Sequence, residues 1–210
     1  MKLYTYYRSS ASYRVRLALN IKKVDYDMIT IDLSKGEQLS AEFKEINKSG
    51  LVPTLELEGG QRINQSTAII DWLDQKFPSP SLLLNYTGSE RALIQQIVNI
   101  IACDIHPLNN LRVLKYLVNT ISISEQEKIN WYHHWIHKGL SAIESIIADA
   151  PYAAGEQVTM ADVYLVPQVY NAQRFNVDMT SFPKTLAVNM ACQQLDSFIE
   201  CLPENQPDAK

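Results

Sequence analysis

The chain has 210 residues, 46% of them apolar and 20% charged, with a net charge of −4. This composition fits an ordinary globular protein with room for one large core or two small ones. The negative balance argues against a nucleic-acid partner. The start Met1-Lys2-Leu3-Tyr4 lacks a signal-peptide core, and no apolar run has membrane-spanning length, so no membrane partner is expected.

The first half mixes strand and helix signals. Leu3 to Tyr7 reads as a strand, Ser12 to Ile21 as a helix, and Tyr26 to Ile31 as a second strand. A polar loop follows at Ser34 to Gln38, then a short helix from Ala41 to Ile46. Thr54 to Glu58, Gly59-Gly60 and Gln61 to Asn64 read as a tight hairpin, and Ser66 to Lys76 as a helix stopped by Pro78 and Pro80. The order β-α-β-α-β-β-α predicts one small mixed sheet with helices on its faces.

After Pro-Ser-Pro-Ser at 78–81 the pattern changes to long helices. Leu93, Ile97, Ile100 and Ile101 keep helical spacing, as do Tyr132, Ile136, Leu140, Ile143 and Ile147. Thr159-Met160-Ala161-Asp162 has the form of a capping box opening a helix toward Phe175, with Asp162 as cap rather than catalyst. A last helix is predicted from about Pro183 to Cys201, and the tail Pro203 to Lys210 looks frayed. The division expected is a small α/β domain over 1–82 and an all-α domain over 88–210. Cys103, Cys192 and Cys201 form an odd set without CxxC spacing, which reads as reduced, structural thiols in the cytoplasm and excludes a dithiol redox motif.

Ser9-Ser10-Ala11-Ser12-Tyr13-Arg14-Val15-Arg16 reads as a strand running into a hydroxyl-rich helix start. Such a terminus offers N–H groups and positive dipole potential to an anion, a thiolate included. It holds no cysteine, so any sulfur must arrive on a ligand. Val52-Pro53 precedes a strand, where a cis bond would present Val52's backbone to an extended peptide. Gln65-Ser66 opens the next helix and could hold a carboxylate.

These strings, in this order, resemble the zeta-class glutathione transferases, the family of maleylacetoacetate and maleylpyruvate isomerases. The resemblance spans essentially the whole chain and includes Asp104-Ile105-His106-Pro107-Leu108-Asn109-Asn110-Leu111, Val166 to Phe175 and Gln206-Pro207-Asp208. It implies a thioredoxin-like N-terminal domain and a helical C-terminal domain in a homodimer, with glutathione as cofactor. It places Ser9, Ser10, Ala11, Ser12, Tyr13 and Arg14 around the glutathione cysteine, and Gln38 and His106 on other polar parts of the tripeptide. Val52 with Pro53 would pair with its backbone, and Gln65 with Ser66 would take the γ-glutamyl end. Asn110, Leu111 and Arg112 would line the site, and Arg8 and Arg174 would bind the carboxylates of a small diacid. Ser9 or Ser10 would stabilise the thiolate, whose addition to a cis enone allows rotation and elimination as the trans isomer. The family hallmark has cysteine where Ala11 stands, so an enzyme–substrate sulfur link there is excluded.

Other readings of the same residues stay open at this level. The serines could only cap a helix, Arg14 and Arg16 could be solvated or salt-bridged, Pro53 could sit at a strand edge, and His106 could mark a helix kink. Arg174 could merely offset a helix dipole. His133 and His137 share a helix face, but no HExxH pattern or third ligand accompanies them, so no metal is expected. Maleylpyruvate is the rival substrate. A transferase acting on α-halo acids and a non-catalytic ligand- or partner-binding protein are the rival functions.

Overall fold

Residues 1–83 and 85–210 are described by the structure, a computed structural model. The chain divides into two compact units, Met1–Leu84 with Gln193–Lys210, and Asn85–Cys192.

In the first unit the order is β1 (Lys2–Thr5), α1 (Ser10–Ile21), β2 (Asp27–Thr30), α2 (Ala41–Ile46), β3 (Thr54–Glu56), β4 (Arg62–Asn64) and α3 (Ser66–Lys76). The sheet order is β2-β1-β3-β4. β1 and β2 are parallel with Leu3 opposite Met28, so they need the crossover that α1 supplies. β3 is antiparallel to β1, Leu55 opposite Leu3, and the hairpin through Gly59-Gly60 sets Ile63 opposite Leu55. This is the α/β arrangement the sequence predicts.

Strand ends differ by a residue or two, and at β1 and α1 the difference has a local cause. β1 stops short of Tyr7 because Tyr6 O accepts the Ser9 N–H at 3.0 Å, turning the chain. α1 starts at Ser10 rather than Ser12 because Ser9 Oγ caps it, accepting from Ser12 N–H at 3.2 Å. Every residue from Ser10 to Leu19 is buried, so α1 is a central helix rather than an amphipathic cover. At its end the Lys22 ammonium lies 2.7 Å from Asp74 Oδ1 and donates to the carbonyls of Phe77 and Pro80. Asp74 also accepts the N–H groups of Leu82 and Leu83. A buried pair so fully hydrogen-bonded ties the ends of α1 and α3 together.

The second unit holds α4 (Gly88–Asn99), α5 (Leu111–Asn119), α6 (Glu125–Ile146), α7 (Met160–Arg174) and α8 (Pro183–Cys192). α7 is buried nearly all round and packs on α4 and α8. Its predicted capping box forms: Asp162 accepts from Thr159 N–H, Thr159 Oγ1 and Ala153 N–H, while burial pushes its carboxyl up to about 6. α5, capped by Asn110, was not anticipated as a helix. Between α4 and His106 the chain widens into a π-helical turn, Ile100–Ile105. α6 crosses that turn at Gly139, where an added Cβ would lie 2.3 Å from Cγ1 and Cδ1 of fully buried Ile105. Gly139→Ala is therefore expected to lower stability by about 1–2 kcal/mol despite alanine's better helix propensity. A urea melt checks this.

The C-terminal segment corrects the sequence reading twice. The predicted last helix breaks after Cys192 and resumes only as α9 (Asp196–Ile199), which packs on α1. The division at 88–210 is thereby revised: Gln193–Lys210 belongs with the first unit. Nor is the tail frayed. Pro203 and Gln206 are buried, and Gln206 Nε2 donates to Glu200 O and Leu202 O. Among the described residues no helix is long and apolar enough to cross a membrane.

Candidate functional site

The start of α1 carries the hydroxyls that the sequence singles out. Ser9 is half-buried, and its cap bond uses an Oγ lone pair, which leaves the hydroxyl proton to donate. Ser10, Ala11, Ser12 and Tyr13 are buried, and among the described residues Ser12 Oγ has no hydrogen-bond partner. The first-turn N–H groups of a helix have no intrahelical acceptor and carry its positive end. Arg8 is exposed, with its guanidinium 4.9 Å from the centre of the Tyr7 ring.

Two further strings in this unit are built around the sheet. The Val52–Pro53 bond is cis, as anticipated, and buried Val52 joins the apolar cluster of Tyr4, Tyr6, Tyr7 and Phe43. Asn47, which sequence reasoning missed, holds this segment: its Nδ2 donates to Leu51 O at 2.8 Å and to Thr54 Oγ1 at 3.2 Å. Gln38 lies in a short 3-10 turn, Glu37–Leu39, with Oε1 buried and unpartnered among the described residues. Gly50 lets that turn approach, since a Cβ at its φ of +61° would sit 3.0 Å from Gln38 O. Gln65 adopts φ 72°, ψ 121° immediately before α3, a left-handed backbone that costs a non-glycine residue about 1–3 kcal/mol.

Arg14 joins two of the strings. Fully buried, it donates from Nη1 to Ser66 Oγ at 3.4 Å, linking α1 to the start of α3. Arg16 is not solvated, and among the described residues it forms no salt bridge. It is wholly buried and donates to oxygens alone: Thr5 Oγ1 at 3.2 Å, Tyr6 O at 3.4 Å, Tyr7 O at 3.1 Å and Cys201 O at 3.5 Å. Burial lowers its pKa below the usual arginine value. Arg16 thus fixes the turn before Ser9 from behind. Only its charge was visible in the sequence.

In the second unit the assigned residues sit at helix ends. His106 follows the π-helical turn and its N–H donates to Ile101 O at 2.9 Å. Asn110 Oδ1 accepts from Arg112 N–H at 3.1 Å, with Leu111 and Arg112 exposed in the first turn of α5. Arg174 ends α7, its guanidinium 4.7 Å from the centre of the Phe175 ring, which stacks on Tyr132 at 3.9 Å. Burial pushes the Tyr132 phenol up to about 12, opposed by the charge and hydrogen bond of Arg174. His133 Nε2 lies 2.7 Å from Phe175 O, a structural contact. Among the described residues no His, Cys, Asp or Glu group is placed to hold a metal. Cys192 and Cys201 are buried, and burial pushes both thiols up, Cys201 to about 11.

Residues 8–76 match the family model "Glutathione S-transferase, N-terminal domain". A "Probable maleylacetoacetate isomerase" of Vibrio cholerae serotype O1 is 44% identical, covering 99% of this chain and 97% of its own. A bacterial maleylpyruvate isomerase, described as a zeta-class glutathione S-transferase, superposes with a TM-score of 0.95 at 42% identity over 100% of both chains. The maleylacetoacetate isomerase of Anaeromyxobacter dehalogenans, solved with bound dicarboxyethyl glutathione and citrate, gives 0.88 at 34% identity over 100% of this chain and 93% of that one.

Proposed function

The chain belongs to the zeta-class glutathione S-transferase family that includes the maleylacetoacetate isomerases, and on that premise we propose that it is a glutathione-dependent cis–trans isomerase acting on maleylacetoacetate. The observation that carries the reading is the end-to-end likeness to proteins named for that reaction. The relative solved with dicarboxyethyl glutathione supports a site that takes the tripeptide with a diacid.

The first unit suits glutathione by its unfilled polar atoms. Gln38 Oε1 and Ser12 Oγ are buried without partners among the described residues, and two helix starts offer positive potential. When bound, glutathione supplies a thiolate that adds reversibly to the cis double bond and leaves it free to rotate. Ser9 donates a hydrogen bond from its hydroxyl to the sulfur, with Ser10 and the N-terminus of α1 favouring the anion. Val52 beside Pro53 pairs with the peptide backbone, Gln65 and Ser66 hold the γ-glutamyl end, and Arg14, counted with the cysteine-side residues, braces Ser66. Tyr13, Gln38, His106, Asn110, Leu111 and Arg112 complete the proposed binding set. Arg8 and Arg174 bind carboxylates; the Phe175 ring and the Tyr132 phenol hold Arg174 in place. With Ala11 in the family's cysteine position, the protein itself supplies no thiol at that turn. A cytoplasmic location, consistent with the free cysteines, and a homodimeric state are part of the same proposal.

Maleylpyruvate is the second reading, favoured by the TM-score of 0.95 to a maleylpyruvate isomerase. Mixing the protein with each cis enone, with and without glutathione, tests both. The expected result is loss of one cis enone only when glutathione is present, with glutathione recovered unchanged. Glutathione-independent turnover, or none with either substrate, overturns the proposal, and consumption of glutathione moves the protein to the transferases.

A further inference from the structure

Asp208 lies 201 positions along the chain from Tyr7, yet its Oδ2 accepts the Tyr7 N–H at 3.0 Å. That bond acts on one particular peptide plane. The Tyr6 carbonyl and the Tyr7 N–H belong to the same rigid peptide unit. At the oxygen end it is held by Arg16 Nη1 at 3.4 Å and by the Ser9 N–H at 3.0 Å. At the N–H end it is held by Asp208. The next peptide, through Tyr7 O, is held by Arg16 Nη2. Only Arg8 separates this pair from Ser9, and the Ser9 N–H is itself bonded to Tyr6 O, so the tilt of the Tyr6–Tyr7 plane bears on where the Ser9 hydroxyl points.

The residues after Asp208 hold the same region. Ala209 packs against the cluster of Tyr4, Tyr6, Tyr7, Phe43 and Val52, and Lys210 Nζ lies 2.6 Å from Asp32 Oδ2 in the loop after β2. One short strap therefore contacts both the turn leading to Ser9 and the segment carrying Val52. We propose that Asp208–Lys210 is a positioning strap for the glutathione-binding face of the first unit. Asp208 is its positioning residue, acting on the Ser9 hydroxyl through the Tyr6–Tyr7 peptide. The proposal rests on the glutathione reading given above and names a residue outside the binding set.

Asp208 touches no reacting atom in this scheme, so its removal acts on thiol acidity rather than on a chemical step. The readout is the ultraviolet absorbance of thiolate when glutathione is added to the whole protein at neutral pH. Glutathione affinity is measured alongside, from tryptophan fluorescence. Asp208→Ala is expected to lower the bound thiolate fraction about tenfold while affinity changes by less than about threefold, because a small misplacement of a positioned group is costly. Asp208→Asn keeps an oxygen for the Tyr7 N–H and replaces Oδ1, which is buried without a partner among the described residues. It is expected to stay within about twofold of the unaltered protein. Should Asp208→Ala not fold, Asp208→Glu, which shifts the acceptor by one methylene, is expected to lose thiolate about threefold. An undiminished thiolate signal in Asp208→Ala or Asp208→Glu, or a loss in Asp208→Asn as large as in the alanine variant, overturns the strap alone. An unaltered protein that binds glutathione without raising its thiolate signal overturns the function reading, and the strap with it.

Discussion

Ser9→Ala combined with Ser10→Ala is expected to cut glutathione-dependent turnover about a hundredfold, the usual scale for losing a donor aimed at developing or resident negative charge. Ser9 carries the larger share. Its Oγ accepts the Ser12 N–H and so keeps its proton to give, whereas Ser10 is buried in the first turn of α1. The helix survives the change: losing the cap costs about 1 kcal/mol, and the first-turn N–H groups stay in place. The residual rate is that of the dipole alone, because Ala11 supplies no thiol to compensate. KM for the diacid is expected to stay within about twofold, since the proposed carboxylate ligands are the Arg8 and Arg174 guanidiniums, which the serine changes leave in place. Steady-state kinetics on the single and double variants check the ordering. Full turnover in the double variant would move thiolate stabilisation away from α1.

Much of this fold is written locally. α2 and α3 run over the residues their patterns predict, Ala41–Ile46 and Ser66–Lys76, because a serine or a tight turn opens each and an apolar face continues it. The capping box at Thr159 and the cis bond at Val52–Pro53 are equally local and equally readable. What escaped reading depends on partners distant in sequence. Gln193 and Gln194 are exposed where the predicted last helix breaks, and the residues beyond pack on α1. That is why the tail belongs with the first unit. α5 carries a cap signal at Asn110 and apolar spacing at Leu111, Leu114 and Leu117, but the motif reading stops at Leu111 and predicts no helix beyond it. The candidate site divides in the same way. Its residue types stand in the sequence, whereas the Arg14–Ser66 bond, Asn47 and the Asp208–Tyr7 bond join positions that no periodicity connects.

Arg16→Met is expected to destabilise the protein by about 3 kcal/mol, although it removes a buried cation that no carboxylate pairs among the described residues. Two effects oppose each other. Methionine fills similar volume without a desolvated charge, and burial already lowers the Arg16 pKa, so deleting the cation recovers some free energy. Against that, Tyr7 O, Cys201 O and Thr5 Oγ1 lose their donor within the core, each worth about 1–3 kcal/mol when left unsatisfied. Tyr6 O keeps the Ser9 N–H and adds little. Three stranded acceptors outweigh one relieved charge, and Arg16→Lys, with a single ammonium in place of a fork, recovers only part of the loss. Denaturant midpoints measure the sign; a neutral or stabilising methionine would show that desolvation dominates. The same variant probes the turn before Ser9. Arg16 and Asp208 hold opposite ends of the Tyr6–Tyr7 peptide, so their effects should not add. In a double-mutant cycle with Asp208→Ala, a coupling of about 1 kcal/mol or more is expected, because each change loosens a peptide plane that the other group also grips. Independent effects would mean that the two groups hold the chain for separate reasons, and that the turn keeps its shape without either.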